Sequence, residues 1–401
     1  MHTLKVTASS SLSLPAGSYI YSICPAAPGS FATISSDDSL RLFDATSLKL
    51  LNVTAAKTHK GVTCLKEYGG ATGVGQQLLA TAGRDGKVRL WDVRSGRGSG
   101  GPALEMETAK NAAVLSLACN AATNTVVVGT ELVSSQATVV FWDIRSPKQV
   151  RLQYVESHND DVTELSYHPT RNNVLLSGST DGLVNIYDTT ITDEDDALIQ
   201  VINHGSIHHA GFLTEQAVYA LSHDEIFSIH PTTNPDDNKA EEPSPIQFGD
   251  LRQPLSCEYV VQLLGSSQGT YLAAGNATEK RLDLIPLVPT PKWHFDQSNI
   301  WRLPEAHGEE IVRSVYLDEQ SRTVFTCGED GFVRAWKPAE ESAGGEEEKE
   351  EKEKEERREQ PQAPQTTTSS SSKPSSSGSK EKDKEKRKKK KHKEKERFKP
   401  Y

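Results

Sequence analysis

The stretch TAGRDGKVRLWDVR, residues 81–94, places a tight turn six residues ahead of a tryptophan. Residues 78–82 (LLATA) are apolar and β-prone, and Gly83 breaks the run. Asp85-Gly86 then supplies the backbone angles of a two-residue hairpin. Residues 87–93 alternate, with Val88 and Leu90 on one face and Arg89 and Trp91 on the other. The pattern predicts a β-hairpin, which is unstable alone in water and requires neighbours of its own kind.

The neighbours are in the chain. Residues 177–188 read SGSTDGLVNIYD, with Tyr187 six positions after Asp181; residues 326–336 read TCGEDGFVRAW, with Trp336 six positions after Asp330. Residues 33–44 read TISSDDSLRLFD, with Phe43 at the same distance from Asp37. Four residues before each aspartate stands a hydroxyl: Thr81, Ser177, Thr326 and Thr33. In three of the four units a histidine lies upstream, His59, His158 and His307. Three looser units end at FWDIR near Trp142, at His230 (six residues after Asp224, in a unit opening at His204), and near residue 286. Seven units at a mean spacing of roughly 49 residues point to a propeller with about four strands per blade.

This set of markers resembles that of the WD-repeat β-propellers, and the order of markers with the long charged tail resembles a branch of that family with fungal members. The resemblance implies a buried hydrogen-bonded chain in each blade: His59, Thr81, Asp85 and Trp91; His307, Thr326, Asp330 and Trp336; and His158, Ser177 and Asp181, with Tyr187 in place of the last link. Buried polar atoms must be paired, and a paired network fixes geometry. A His-Ser-Asp set that recurs blade by blade is structural rather than a catalytic triad. The expected fold is all-β: a seven-bladed propeller over residues 1–338, with blades near 15–50, 57–104, 110–153, 157–200, 204–250, 256–290 and 306–338. After Trp336 no strand remains for the last blade, so the N-terminal segment, residues 3–14, is expected to supply it and remove the open edge.

Composition narrows the function classes. The five cysteines, Cys24, Cys64, Cys119, Cys257 and Cys327, have no paired spacing, which argues for a reducing compartment and against a disulfide framework or Cys-rich zinc site. No secretory signal and no 18-residue apolar run are present, so no membrane contact is expected. From residue 339 onward stand 19 basic and 16 acidic residues, which leaves 26 basic and 39 acidic in 1–338. The propeller is acidic, with its densest acidic runs at 193–196 (DEDD) and 235–243 (PDDNKAEEP). Charge complementarity then favours a basic protein client, such as a ribosomal protein or histone.

The tail, 339–401, opens with a Glu/Lys-rich stretch of helical, coiled-coil-like composition and passes through a Ser-rich spacer expected to be disordered. It ends with KRKKKKHK at 386–393. Lys386, Arg387, Lys388, Lys389, Lys390 and Lys391 read as a nuclear-localisation signal, with weak non-specific nucleic-acid contact as the alternative. The expected location is the nucleus or nucleolus, with the cytoplasm as alternative.

WDVR at 91–94 and WDIR at 142–145 are similar to the WDxR element of the WD-repeat substrate receptors of cullin-based ubiquitin ligases. The carried-over residues are Asp92, Arg94, Asp143 and Arg145, as candidates for docking a ligase adaptor; the plain alternative is that the arginine caps a strand end. Gly96, Gly98 and Gly101 form a GxGxxG without a βαβ unit, which is a connection and not a dinucleotide site. His204, His208 and His209 suggest a metal only until His204 is recognised as the blade-start histidine. No catalytic residue, cofactor site or metal site is expected, and a hydrolase in the fifth or sixth blade has no constellation behind it. The reading is a non-enzymatic scaffold that recognises protein partners through loops on a propeller.

Overall fold

The computed structural model describes residues 1–69, 78–93, 101–232 and 244–339. Arg94, the glycine-rich connection that follows it, the 235–243 run and the tail with Lys386–Lys391 lie outside the described residues.

Seven antiparallel blades are built in chain order. The first comprises strands Ile20–Ala27, Ser30–Ser35, Leu40–Asp44 and Leu50–Ala55, counted from the axis outward. The second comprises Val62–Tyr68, Leu78–Gly83, Lys87–Asp92 and Leu104–Glu107. Second strands such as LLATAG, TVVVGT and VLLSGS are buried at every residue, because each blade is covered on both faces by its neighbours. That explains their nearly continuous small and apolar character. The alternation of residues 87–93 therefore does not separate a wet face from a dry one: Val88, Leu90 and Trp91 are all buried.

Every innermost strand carries the same defect. The ladder skips one residue between Ile20 and Ser22, Val62 and Cys64, Val114 and Ser116, Val162 and Glu164, Ile207 and His209, Val260 and Gln262, and Val312 and Ser314. A bulge bends the strand and releases a residue from pairing. Several side chains at or next to the bulge tie one blade to the next. Thr63 Oγ1 donates to Val114 O at 2.7 Å, Ser116 Oγ to Val162 O at 2.8 Å, and Thr163 Oγ1 to Ile207 O at 2.7 Å. Further round, Gln262 Oε1 accepts Val315 N at 3.1 Å and Ser314 Oγ accepts Ile23 N at 3.4 Å.

The ring is closed by the N-terminal strand, His2–Ser10, which pairs antiparallel with Val333–Pro338, Leu4 opposite Pro338 and Ser10 opposite Val333. It does more than complete the seventh blade. His2 and Thr3 also pair in parallel with Trp301 and Arg302, so blades six and seven form one continuous sheet. The sixth blade's outer strand is this Trp301–Pro304 segment, beyond the 256–290 span read from the sequence. Leu4 and Leu12 are buried, and Arg41 of the first blade donates to Leu12 O at 3.0 Å. Deleting residues 1–14 is expected to abolish the single cooperative transition in scanning calorimetry; a transition retained and lowered by only a few degrees would contradict that role.

Candidate protein-interaction interface

The polar clasps are formed as one relay. In the second blade Trp91 Nε1 donates to Thr81 Oγ1 (2.8 Å), His59 Nε2 lies 2.8 Å from the same hydroxyl, and His59 Nδ1 lies 2.9 Å from Asp85 Oδ1. Every hydrogen finds an acceptor when Thr81 donates to Nε2 and Nδ1–H donates to the carboxylate. The seventh blade repeats this with Trp336, Thr326, His307 and Asp330 at 2.9, 2.8 and 2.7 Å. In the fourth, His158 contacts Ser177 at 2.7 Å and Asp181 at 3.1 Å, and Ser177 Oγ lies 3.2 Å from the Tyr187 hydroxyl, so the substituted link is made. The turns beneath need glycine: Gly86 has φ +70°, and a Cβ there would lie 2.6 Å from Asn111 backbone.

Burial would raise the Asp85 and Asp330 carboxyls, but bonds from His59 and His307 and the charges of Arg89 and Arg334 outweigh it and hold both below the ordinary range. Burial pushes the His59 and His307 imidazoles down. Depressed carboxyls stabilise the fold above their unfolded values and lose that contribution on acidification; the depressed histidines act in the same direction.

The remaining blades use other chemistry. In the first, Phe43 has no N–H and no histidine arrives, and Thr33 Oγ1 is buried without a partner. Asp37 instead binds Ser35, Ser39 and Arg41 at 2.7, 2.6 and 2.9 Å. In the fifth, the hydroxyl sits one strand over: Ser228 Oγ bridges His204 Nδ1 (3.0 Å) and His230 Nε2 (2.8 Å). In the sixth, buried Asp283 is held by Arg302 Nε (2.8 Å) and by Arg281. Sequence reading missed this Arg-Asp-Arg group; its signal is a charged pair, Arg281 and Asp283, inside an otherwise apolar strand. His208 stacks between His209 and His223 with ring centroids 4.2 and 5.1 Å away, and no metal-holding group exists among the described residues.

Arg145 is exposed and chelates its own Asp143, Nε to Oδ1 at 2.8 Å, which holds that carboxyl at about 2. The same local chelate recurs at Arg252 and Asp250, 3.0 and 2.7 Å, which is the geometry of a strand-end cap. Asp92 ends its strand, and Arg94 lies outside the described residues.

Charge separates by face. Connections between second and third strands, and those leading from one blade to the next, gather where the innermost strands begin; we call this the leading face. The other connections form the trailing face. The leading face carries 17 acidic and 6 basic side chains, the trailing face 7 and 6 among the described residues. Within the leading face, the connections from Val155 onward, over blades four to seven, hold 13 acidic residues and 2 basic ones, Arg252 and Lys280, although Asp181 and Asp330 belong to the clasps and Glu279 and Glu329 pair with the strand residues Arg281 and Arg313. Glu156, Asp224, Glu258, Glu279, Glu305, Glu309 and Glu310 are exposed there. The DEDD run lies in a trailing-face connection but folds against the start of the blade three-to-four connection and is largely structural: Asp193 caps the short helix Glu194–Ala197, and Glu194 accepts N–H groups of Val155, Glu156 and Ser157 at 2.6, 2.9 and 2.7 Å.

The repeat model described as WD domain, G-beta repeat, matches residues 51–92, 149–188 and 298–337. The chain is 34% identical over 304 residues to a WD repeat-containing protein of Saccharomyces cerevisiae, covering 75% of this chain and 74% of the relative. It is 34% identical over 290 residues to one of Schizosaccharomyces pombe, covering 70% and 84%. It is 26% identical over 319 residues to the WD repeat-containing protein 89 homolog of Dictyostelium discoideum, covering 77% and 80%. WD-repeat proteins are generally non-enzymatic scaffolds for protein–protein contacts.

The clasp predicts an asymmetry between two threonines. Thr81→Val strands the His59 and Trp91 nitrogens and is expected to cost about 2–4 kcal/mol. Thr33→Val removes a hydroxyl with no partner and is expected to be neutral or stabilising. Denaturant unfolding of the two variants checks this; equal losses would contradict it.

Proposed function

The chain belongs to the WD-repeat family, and on that premise we propose that it is a nuclear scaffold holding a basic protein client against the blade four-to-seven sector of its leading face. The sorting of charge carries the reading. A sector whose connections hold 13 acidic and 2 basic residues, with Glu156, Asp224, Glu258, Glu305 and Glu310 among the exposed ones, attracts a cationic partner over a distance and orients it on encounter. The acids are spread over many short connections from four blades, so they form a broad field suited to an extended basic segment. Lys386–Lys391 supports nuclear import, and ribosomal proteins or histones, in ribosome biogenesis or chromatin assembly, have the matching charge. The ligase-adaptor alternative draws no support from Arg145, whose guanidinium is engaged by Asp143.

Affinity purification of the full chain from nuclear extract tests the reading. Basic proteins are expected to co-purify at about 50 mM salt and to be lost at about 300 mM. Combined Glu258→Lys, Glu309→Lys and Glu310→Lys is expected to remove them, while Glu215→Lys with Glu319→Lys on the trailing face leaves them. Equal recovery with both sets, or recovery of neutral proteins alone, would overturn the proposal.

A further inference from the structure

Within the acidic sector one residue differs in kind. Glu225, in the turn between the second and third strands of blade five, is only 8% exposed, and its Oε2 is buried with no hydrogen-bond partner. The backbone N–H of Val260, at the start of the sixth blade's inner strand, is directed toward the carboxyl group and favours its ionised form. At the start of other inner strands the first N–H groups are capped by side chains that are used up. Asp38 caps Val62 N at 3.0 Å and Gly61 N at 3.1 Å with one oxygen and meets Lys57 at 3.5 Å with the other. Tyr259 caps Val312 N with a neutral hydroxyl at 3.0 Å.

The cations near Glu225 are turned elsewhere. Arg252 is chelated by Asp250, and His209 faces Glu164 at 2.9 Å. His223, exposed on the turn that carries Glu225, is turned to Ser206, with Nδ1 3.1 Å from Oγ, and stacks on His208. The other groups around Glu225, exposed Asp224 on its own turn, Asp250 on the outer strand and the Cys257 thiol on the following loop, bring no positive charge. A buried carboxylate oxygen without a donor is costly unless a cation completes it.

We infer that Glu225 is the anchor of the client site: when a protein partner docks at the junction of blades five and six, the exposed turn residues His223 and Asp224 give way, and the buried oxygen accepts the ammonium or guanidinium group of one basic residue. This rests on the basic-client reading above and adds a fixed point to it: the field collects the partner, and Glu225 sets its register. In the free chain, burial raises the Glu225 carboxyl to about 7, so it holds a proton below neutrality. Docking of a cation displaces that proton, and affinity rises with pH across this range.

Fluorescein-labelled decalysine, titrated into the full chain at about 50 mM salt and pH 8, is the probe. Glu225→Gln keeps the size and shape of the side chain and is expected to weaken binding about tenfold, whereas Glu310→Gln on the open rim changes it about twofold. The wild-type chain is expected to bind more tightly at pH 8 than at pH 6, and Glu225→Gln to lose most of that difference. Because the substitution removes a buried charge, its melting temperature at pH 8 is expected at or above that of the wild type. Calorimetry of the unmodified chain in two buffers of different ionisation enthalpy is expected to show proton release on binding at pH 6.5. Binding by Glu225→Gln within twofold of wild type, or no proton release, overturns the anchor. If the probe is still lost with the three charge reversals, the client reading stands without it. Failure of decalysine to bind the wild-type chain overturns both.

Discussion

The pairing of His2–Ser10 with Val333–Pro338 is the constraint on which the rest depends. Blade seven has only three strands of its own, and an unpaired third strand would leave an open edge in a ring whose blades are otherwise covered. The two segments are separated by nearly the whole propeller. The entropy of closing so long a loop grows only logarithmically with its length. It is offset by burial that no open ring achieves, since each blade needs a neighbour on both faces. The parallel contact of His2 and Thr3 with Trp301 and Arg302 extends the closing strand into blade six, so the seam is two blades wide. Around the axis, bulged inner strands hand hydrogen bonds forward from blade to blade.

Inside the blades, the need to pair buried polar atoms is met in several ways. Two blades use the full His-Thr-Asp-Trp relay, and one substitutes serine and tyrosine. Blade five moves its hydroxyl to the third strand, where Ser228 joins two histidines. Blade six replaces the relay with Asp283 between two arginines. Blade one keeps Thr33 but neither of its partners. The fold tolerates this variety because each blade needs a satisfied interior and not a particular set of residues.

The same variety decides what could be read from the residues alone. Asp85-Gly86 with Trp91, and its repeats, were legible because turn chemistry and strand period are local. The N-terminal closure followed from counting strands. The outer strand of blade six was missed because Trp301–Pro304 lies beyond a long connection and carries no marker. The interface was harder to see. DEDD at 193–196 looks like an acidic surface, yet Asp193 and Glu194 serve as backbone caps. The leading-face charge comes one to three residues per connection, so it sums only after folding brings the connections of four blades together. Glu225 gave no signal at all, since its isolation is a property of what surrounds it.

The scaffold role and the charged sector both presuppose a closed ring, because an open one would not hold blades four to seven in fixed register. Amide hydrogen exchange of the full chain, read by mass spectrometry, tests the closure most directly. Peptides covering residues 2–10 should be protected to the same degree as those covering 333–338, and the two should lose protection together as denaturant is raised. Exchange of residues 2–10 at the rate of a free chain, with 333–338 still protected, would contradict the account.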